Sequence, residues 1–143
     1  MRGTFSVRVA RGPDDGATAL VRKDRVTVGA PLSFDEAYPR ATAFELLLAA
    51  VGTDLVSGLA ALARKARVPL DNIEAVVEGE IENPLAHLRV VGEAGHPGLK
   101  ALAAKVYVRT PEEAEKVRRV WADLLRTSPM VHTFRFEPEL ILV

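Results

Sequence analysis

The stretch Thr42–Lys65 (TAFELLLAAVGTDLVSGLAALARK) constrains the fold of this chain more than any other. Between Glu45 and Arg64 nearly every side chain is apolar or small. The exceptions are Thr53, Asp54 and Ser57, near the middle. A helix that is apolar on all sides has to be buried on more than one of them, so the other residues read as its cover. Both ends are signposted. Thr42-Ala43-Phe44-Glu45 has the T-x-x-E spacing in which Thr caps backbone donors and Glu reaches back to the N–H of the cap. Arg64, Lys65 and Arg67 suit the negative pole of the helix dipole, and Pro69 follows. The length approaches that of a bilayer span, but Asp54 would then sit mid-bilayer at a cost of roughly 2.5–3.5 kcal/mol. No other segment resembles a span, so a buried helix is expected and no membrane.

The totals narrow the class. A chain of 143 residues, 48% hydrophobic and 27% charged, fits one α+β domain over residues 1–143 with a real core. Net charge is zero and no basic cluster stands out, so no nucleic-acid partner is expected. Cysteine is absent, which removes disulfides, thiolate metal sites and thiol nucleophiles. The N-terminal residues alternate without an apolar segment, so no signal peptide is expected and a cytoplasmic location is. Glutamine is absent and asparagine occurs only at Asn72 and Asn83, a composition that fits a thermophile.

Periodicity orders the remainder. Residues 4–12 alternate Phe5, Val7 and Val9 against Ser6, Arg8 and Arg11, as in a half-buried strand. A turn at Pro13-Asp14-Asp15-Gly16 and strands at Ala17–Val21 and Arg25–Val28 complete a three-strand meander. Gly29–Arg40 is a loop into the long helix. Asn72–Ile81 alternates as a strand, with Glu78, Glu80 and Glu82 on a wet face. Asn83-Pro84 breaks it, and His87–Gly92 reads as a short strand. Leu99–Arg109 reads as a strand with Leu102, Val106 and Val108 inward. Thr110-Pro111-Glu112-Glu113 repeats the T-x-x-E signature. An apolar stripe at Ala114, Val117, Val120, Trp121, Leu124 and Leu125 then makes an amphipathic second helix, ending at Thr127-Ser128-Pro129. Phe134–Val143 closes the chain as a strand interrupted at Pro138. One amphipathic helix cannot easily cover the long helix alone. A homodimer with that helix near the two-fold interface is therefore expected.

The segment AFELLLAAVGTD resembles the OsmC/Ohr family (osmotically inducible protein C and organic hydroperoxide resistance proteins), whose motif is P-x-E-L-L-L-A-A-L-x-x-C. The continuation V-P-L-D-N-I-E-A-V-V-E-G is similar to the family's strand entry. Ser128-Pro129-Met130 stands where the family has C-P-V. The resemblance implies the OsmC-like fold as an intertwined dimer: a three-strand meander, long buried central helix, further strands, amphipathic helix and C-terminal strand. It also implies thiol-dependent reduction of organic hydroperoxides by a peroxidatic and a resolving Cys, assisted by a Glu and an Arg. Carried across, the peroxidatic position falls on Asp54 and the resolving position on Ser128. The Glu falls on Glu45, or one residue earlier, on Phe44, at the spacing of the Ohr subgroup. Arg11, Arg22 and Arg25 are candidates for the Arg. Neither a carboxylate nor a hydroxyl can pass through sulfenic acid, so the implied fold comes without the implied redox chemistry.

The residues have plainer roles beside this. Asp54 needs a buried partner, either an Arg or the groups of a site where it acts as base or ligand contact. The capping box accounts for Glu45, and nine residues of helix turn Glu45 and Asp54 to opposite sides. Thr53 and Ser57 are expected to bond back to carbonyls of the preceding turn. Trp121 is expected in the core. His87, His96 and His132 match no ligand spacing, so no metal and no cofactor are expected. The leading expectation is an OsmC-like homodimer without thiol peroxidase activity. It would hold a small hydrophobic or acyl ligand in the former active-site pocket near Asp54 and Ser128. The rivals are a non-redox enzyme with Asp54 as acid/base and a structural or regulatory dimer in the oxidative or osmotic stress response.

Overall fold

The computed structural model describes residues 1–12 and 14–143. The chain divides into two compact units, residues 1–47 and 48–143, and the division falls within the long helix α1 (Ala43–Lys65).

The first unit holds the meander. Strands β1 (Arg8–Arg11), β2 (Ala17–Val21) and β3 (Asp24–Val28) pair antiparallel in sequence order. Pro13 of the expected turn lies outside the described residues; Asp14 and Asp15 form a turn. The first strand is shorter than expected, and its apolar face is not covered. Phe5, Val7 and Val9 are 84%, 60% and 58% exposed, against the half-buried strand that their alternation predicts. The alternation marks a face suited to burial, and among the described residues of this unit nothing is laid over it. The loop into α1 is pinned by side chains. Tyr38 donates its hydroxyl proton to Asp15 Oδ1 (2.9 Å) and accepts from the Ala30 N–H (2.7 Å).

The entry to α1 is the capping box. Glu45 Oε1 accepts from the Thr42 N–H at 3.1 Å and from the Thr42 hydroxyl at 2.8 Å. Thr42 Oγ1 accepts from the Glu45 N–H at 3.2 Å. Thr42 is buried, whereas Glu45 is exposed.

In the second unit α1 packs one row of side chains, Val51, Leu55, Leu59 and Ala63, each at most 2% exposed. They meet Ala104, Val106 and Val108 of β5 and Val117, Val120 and Leu124 of α3 in one core. Burial within the chain is one-sided. Ala49, Ala50, Thr53, Ser57 and Ala61 remain exposed, although the helix is apolar almost all round. Among the described residues α1 alone is long and apolar enough to cross a membrane, but its buried row makes it the core helix of the fold. It ends in a Schellman arrangement. Arg67 takes the left-handed conformation (φ 59°), its N–H bonds the Arg64 carbonyl at 3.1 Å, and the Val68 N–H bonds the Ala63 carbonyl at 2.9 Å.

The second sheet has the order β4 (Asn72–Ile81), β5 (Leu99–Arg109), β6 (Glu139–Leu142). β4 and β5 are antiparallel, β5 and β6 parallel. β4 alternates regularly, with Glu74, Glu78 and Glu80 outward. Leu102, Val106 and Val108 point inward from β5, as their spacing predicts, and Ala104 joins them. The amphipathic helix α3 (Ala114–Thr127) buries Val117, Val120, Trp121 and Leu124.

Three local expectations are corrected. The short strand at 87–92 is replaced by a helical turn, α2 (Pro84–His87). Asn83 Oδ1 accepts from the Leu85 and Ala86 N–H groups, so Asn-Pro starts a helix where it reads as a breaker. The second T-x-x-E is not a capping box. Thr110 donates its hydroxyl proton to the Pro69 carbonyl at 2.6 Å, and Glu113 is the N-cap without a side-chain bond. The strand expected from Phe134 begins at Glu139, because Ser128-Pro129 opens another short helix, α4 (Pro129–Phe134).

The capping box makes a pH prediction. The two bonds from Thr42, first its N–H and then its hydroxyl, hold the Glu45 carboxyl below its ordinary value of 4.5. A lowered native pKa contributes stability above the unfolded value and loses it as pH falls through the native one. Wild type should therefore exceed Glu45→Gln in denaturant midpoint near neutral pH, and the gap should close in acid. A gap constant across that range would show that the charge contributes nothing at the cap.

Candidate functional site

Two residues separated by 74 positions meet in the second unit. Asp54 lies on α1, one position before the buried Leu55 and one turn before Gly58. Ser128 lies at the break between α3 and α4, one turn after Leu124. Gly58 eases the approach: a Cβ there would stand 2.9 Å from Leu124 Cδ1 and oblige the Leu124 side chain to shift. Gly58 meets Leu124 and, one turn away on each helix, Asp54 meets Ser128. The two helices therefore run antiparallel at this contact.

Ser128 Oγ donates a short hydrogen bond to Asp54 Oδ2. Ser128 Oγ also accepts from the Val131 N–H at 3.1 Å, capping α4. Ser128 is thus at once the C-cap of α3, with its N–H on the Leu124 carbonyl at 2.8 Å, and the N-cap of α4. Its backbone is extended (φ −69°, ψ 122°), and Pro129 takes the first helical position, where its missing N–H costs nothing. The residue is 2% exposed. Asp54 is half-buried, and within the chain its partner is this hydroxyl; among the described residues it forms no ion pair with an Arg.

The neighbouring groups are occupied. Thr53 donates to the Ala49 carbonyl (2.7 Å) and Ser57 to the Thr53 carbonyl (2.6 Å), the back-bonding their positions predict. His132 Nε2 is engaged by the Arg126 carbonyl at 2.8 Å. Glu45 is committed to Thr42 in the first unit. Arg11 on β1, Arg22 in the β2–β3 turn and Arg25 on β3 are exposed and belong to that unit too. The sequence identifies Asp54 and Ser128 separately but carries no local signal that one bonds the other.

Chemically this is a carboxylate–hydroxyl pair with the hydroxyl engaged both ways, donating its proton to Asp54 and accepting from one backbone N–H. Using Ser128 as a nucleophile would uncap α4. The pair holds α1 to the α3–α4 junction, and it offers no thiol.

The fold is α+β with the three-strand meander, the long helix and the further strands of the osmotically inducible and hydroperoxide resistance class. The model of the family described as OsmC-like protein matches residues 35–143, and the chain belongs to that family. Among solved structures it is similar to an OsmC-like protein from Mycoplasma pneumoniae. That match has a TM-score of 0.78 and 13% identity, and it covers 100% of this chain and 98% of that one. It is similar to the organic hydroperoxide resistance protein of Bacillus subtilis, with a TM-score of 0.59, 14% identity and 96% of each chain covered. A third is a putative organic hydroperoxide resistance protein from Vibrio cholerae, with captopril bound in one of its active sites. There the TM-score is 0.62 and the identity 14%, with 99% of this chain and 92% of that one covered. A sequence comparison with curated proteins finds no match. At these identities the likeness carries the fold.

Removing the hydroxyl should be costly. Ser128→Ala strips the Asp54 carboxylate of its partner and α4 of its cap, for a loss of about 2–4 kcal/mol in unfolding free energy. Asp54→Asn keeps an acceptor for the Ser128 proton and should cost clearly less. Equal losses in the two variants would mean that the bond is incidental.

Proposed function

We propose that this chain is a single OsmC-like domain that functions as a homodimer and has no thiol peroxidase activity. A small hydrophobic or acyl ligand occupies the region of the former active site near Asp54 and Ser128. The observation that carries this reading is the direct contact between those two residues. They stand at the two positions where the resemblance puts the peroxidatic and the resolving cysteine. Their meeting across 74 residues supports both the alignment of roles and the replacement of a redox pair by a hydrogen-bonded one.

The dimer is supported by what the single chain leaves uncovered. Ala49, Ala50, Thr53, Ser57 and Ala61 form an exposed, largely small-residue face on α1, and Phe5, Val7 and Val9 form an exposed apolar row before and within β1. Apolar surfaces of this kind mark association sites, and a two-fold partner would bring the same patches again. The ligand is supported by the half-buried Asp54, whose Oδ1 takes no hydrogen bond among the described residues, and by the small organic molecule in an active site of the Vibrio cholerae relative. A cytoplasmic location belongs to the same reading.

The test is turnover of cumene hydroperoxide or a lipid hydroperoxide with a dithiol reductant. The rate should equal that of a boiled control, since the chain has no cysteine to cycle between thiol and sulfenic acid. Enzyme-dependent loss of peroxide would overturn the proposal.

A further inference from the structure

A shallow cavity of about 430 Å³, broadly open to solvent, lies in the second unit between α3 and the start of β6. It is lined by Arg118 and Trp121 of α3 and by Glu137, Pro138, Glu139 and Leu140. Its charges are what set it apart. Along α3 and the turn before it, Lys116 pairs with Glu112, Arg119 with Glu115 and Arg126 with Asp123. Arg118 is the one cation of that helix without an acidic partner among the described residues. Glu137 and Glu139 have no cationic partner there either. One cation and two carboxylates thus line a common space without closing on each other. Arg118, Glu137 and Glu139 are exposed, and the other lining residues are apolar: Trp121, which is 8% exposed, Pro138, buried, and Leu140, half-buried.

We propose that this cavity binds a small zwitterion with an apolar side chain, of amino-acid or dipeptide size. Arg118 takes the carboxylate, because a guanidinium matches its two oxygens. Glu137 and Glu139 take the ammonium. Trp121, Pro138 and Leu140 take the apolar part. Charges of opposite sign held apart in one cavity select against a simple anion, a simple cation or a neutral apolar molecule, each of which leaves part of the site unmatched. The site shares no residue with Asp54–Ser128 and does not depend on that pair's role.

Trp121 is the only tryptophan of the chain, so intrinsic fluorescence reports on this cavity directly. The full chain is titrated with leucine, leucyl-leucine, N-acetyl-leucine and leucinamide. A saturable change in the millimolar range is expected with leucine or leucyl-leucine, and the stronger of the two fixes the ligand length. Removing either charge from the ligand should weaken binding about tenfold or more, as should Arg118→Ala or the pair Glu137→Gln and Glu139→Gln. Arg119→Ala, which removes an already paired cation, should change nothing. No saturable response to either zwitterion would overturn the proposal, as would an equal response to both charge-blocked ligands or an undiminished response in Arg118→Ala.

Discussion

The structure after residue 48 depends on how α1 meets its neighbours along one row. Val51, Leu55, Leu59 and Ala63 enter a common core with β5 and α3, and at an i,i+4 spacing they leave the adjacent positions at the margin of that core. Asp54 is at this margin. A carboxylate there is partly desolvated and requires a donor. The donor comes from Ser128, held in place by its own duties as helix end and helix start. Gly58, without a side chain, leaves room for Leu124 one turn away from the bond. Hydrophobic packing therefore fixes the distance, and one polar contact fixes the register.

Much of this was legible in the sequence where the determining interactions are local. The T-x-x-E at Thr42 forms as expected because donor and acceptor lie within one turn. Thr53 and Ser57 bond back to their own helix for the same reason. The period-two face of β4, the inward residues of β5 and the stripe of α3 follow from repeating geometry. Failures arise where a distant group intervenes or a signal has two meanings. Thr110 has the capping spacing, but the Pro69 carbonyl, 41 residues away, takes its hydroxyl. Asn83-Pro84 and Ser128-Pro129 read as stops, and each also supplies a cap and a first-position proline for a short helix. The Asp54–Ser128 bond has no local trace at all. The family pattern marked both residues, and only the fold joined them.

The chemistry follows from the same contact. A thiol pair works because one sulfur can be oxidised and the other can attack it. A carboxylate and a hydroxyl, which we propose stand in place of such a pair, have no such cycle, and their hydrogen bond ties α1 to the α3–α4 junction. The chain thus keeps the scaffold of a stress-response family while its central pair serves structure. The uncovered faces of α1 and of the first strand are consistent with a scaffold completed by a second copy.

The central claim is that Asp54 and Ser128 occupy the addresses of a redox pair. The most direct measurement is thiol titration of the double variant Asp54→Cys and Ser128→Cys before and after stoichiometric organic hydroperoxide. The account predicts that both thiols disappear on treatment and return with a dithiol, through a disulfide within one chain. Thiols that stay free under native conditions, or that crosslink only between chains, would contradict it.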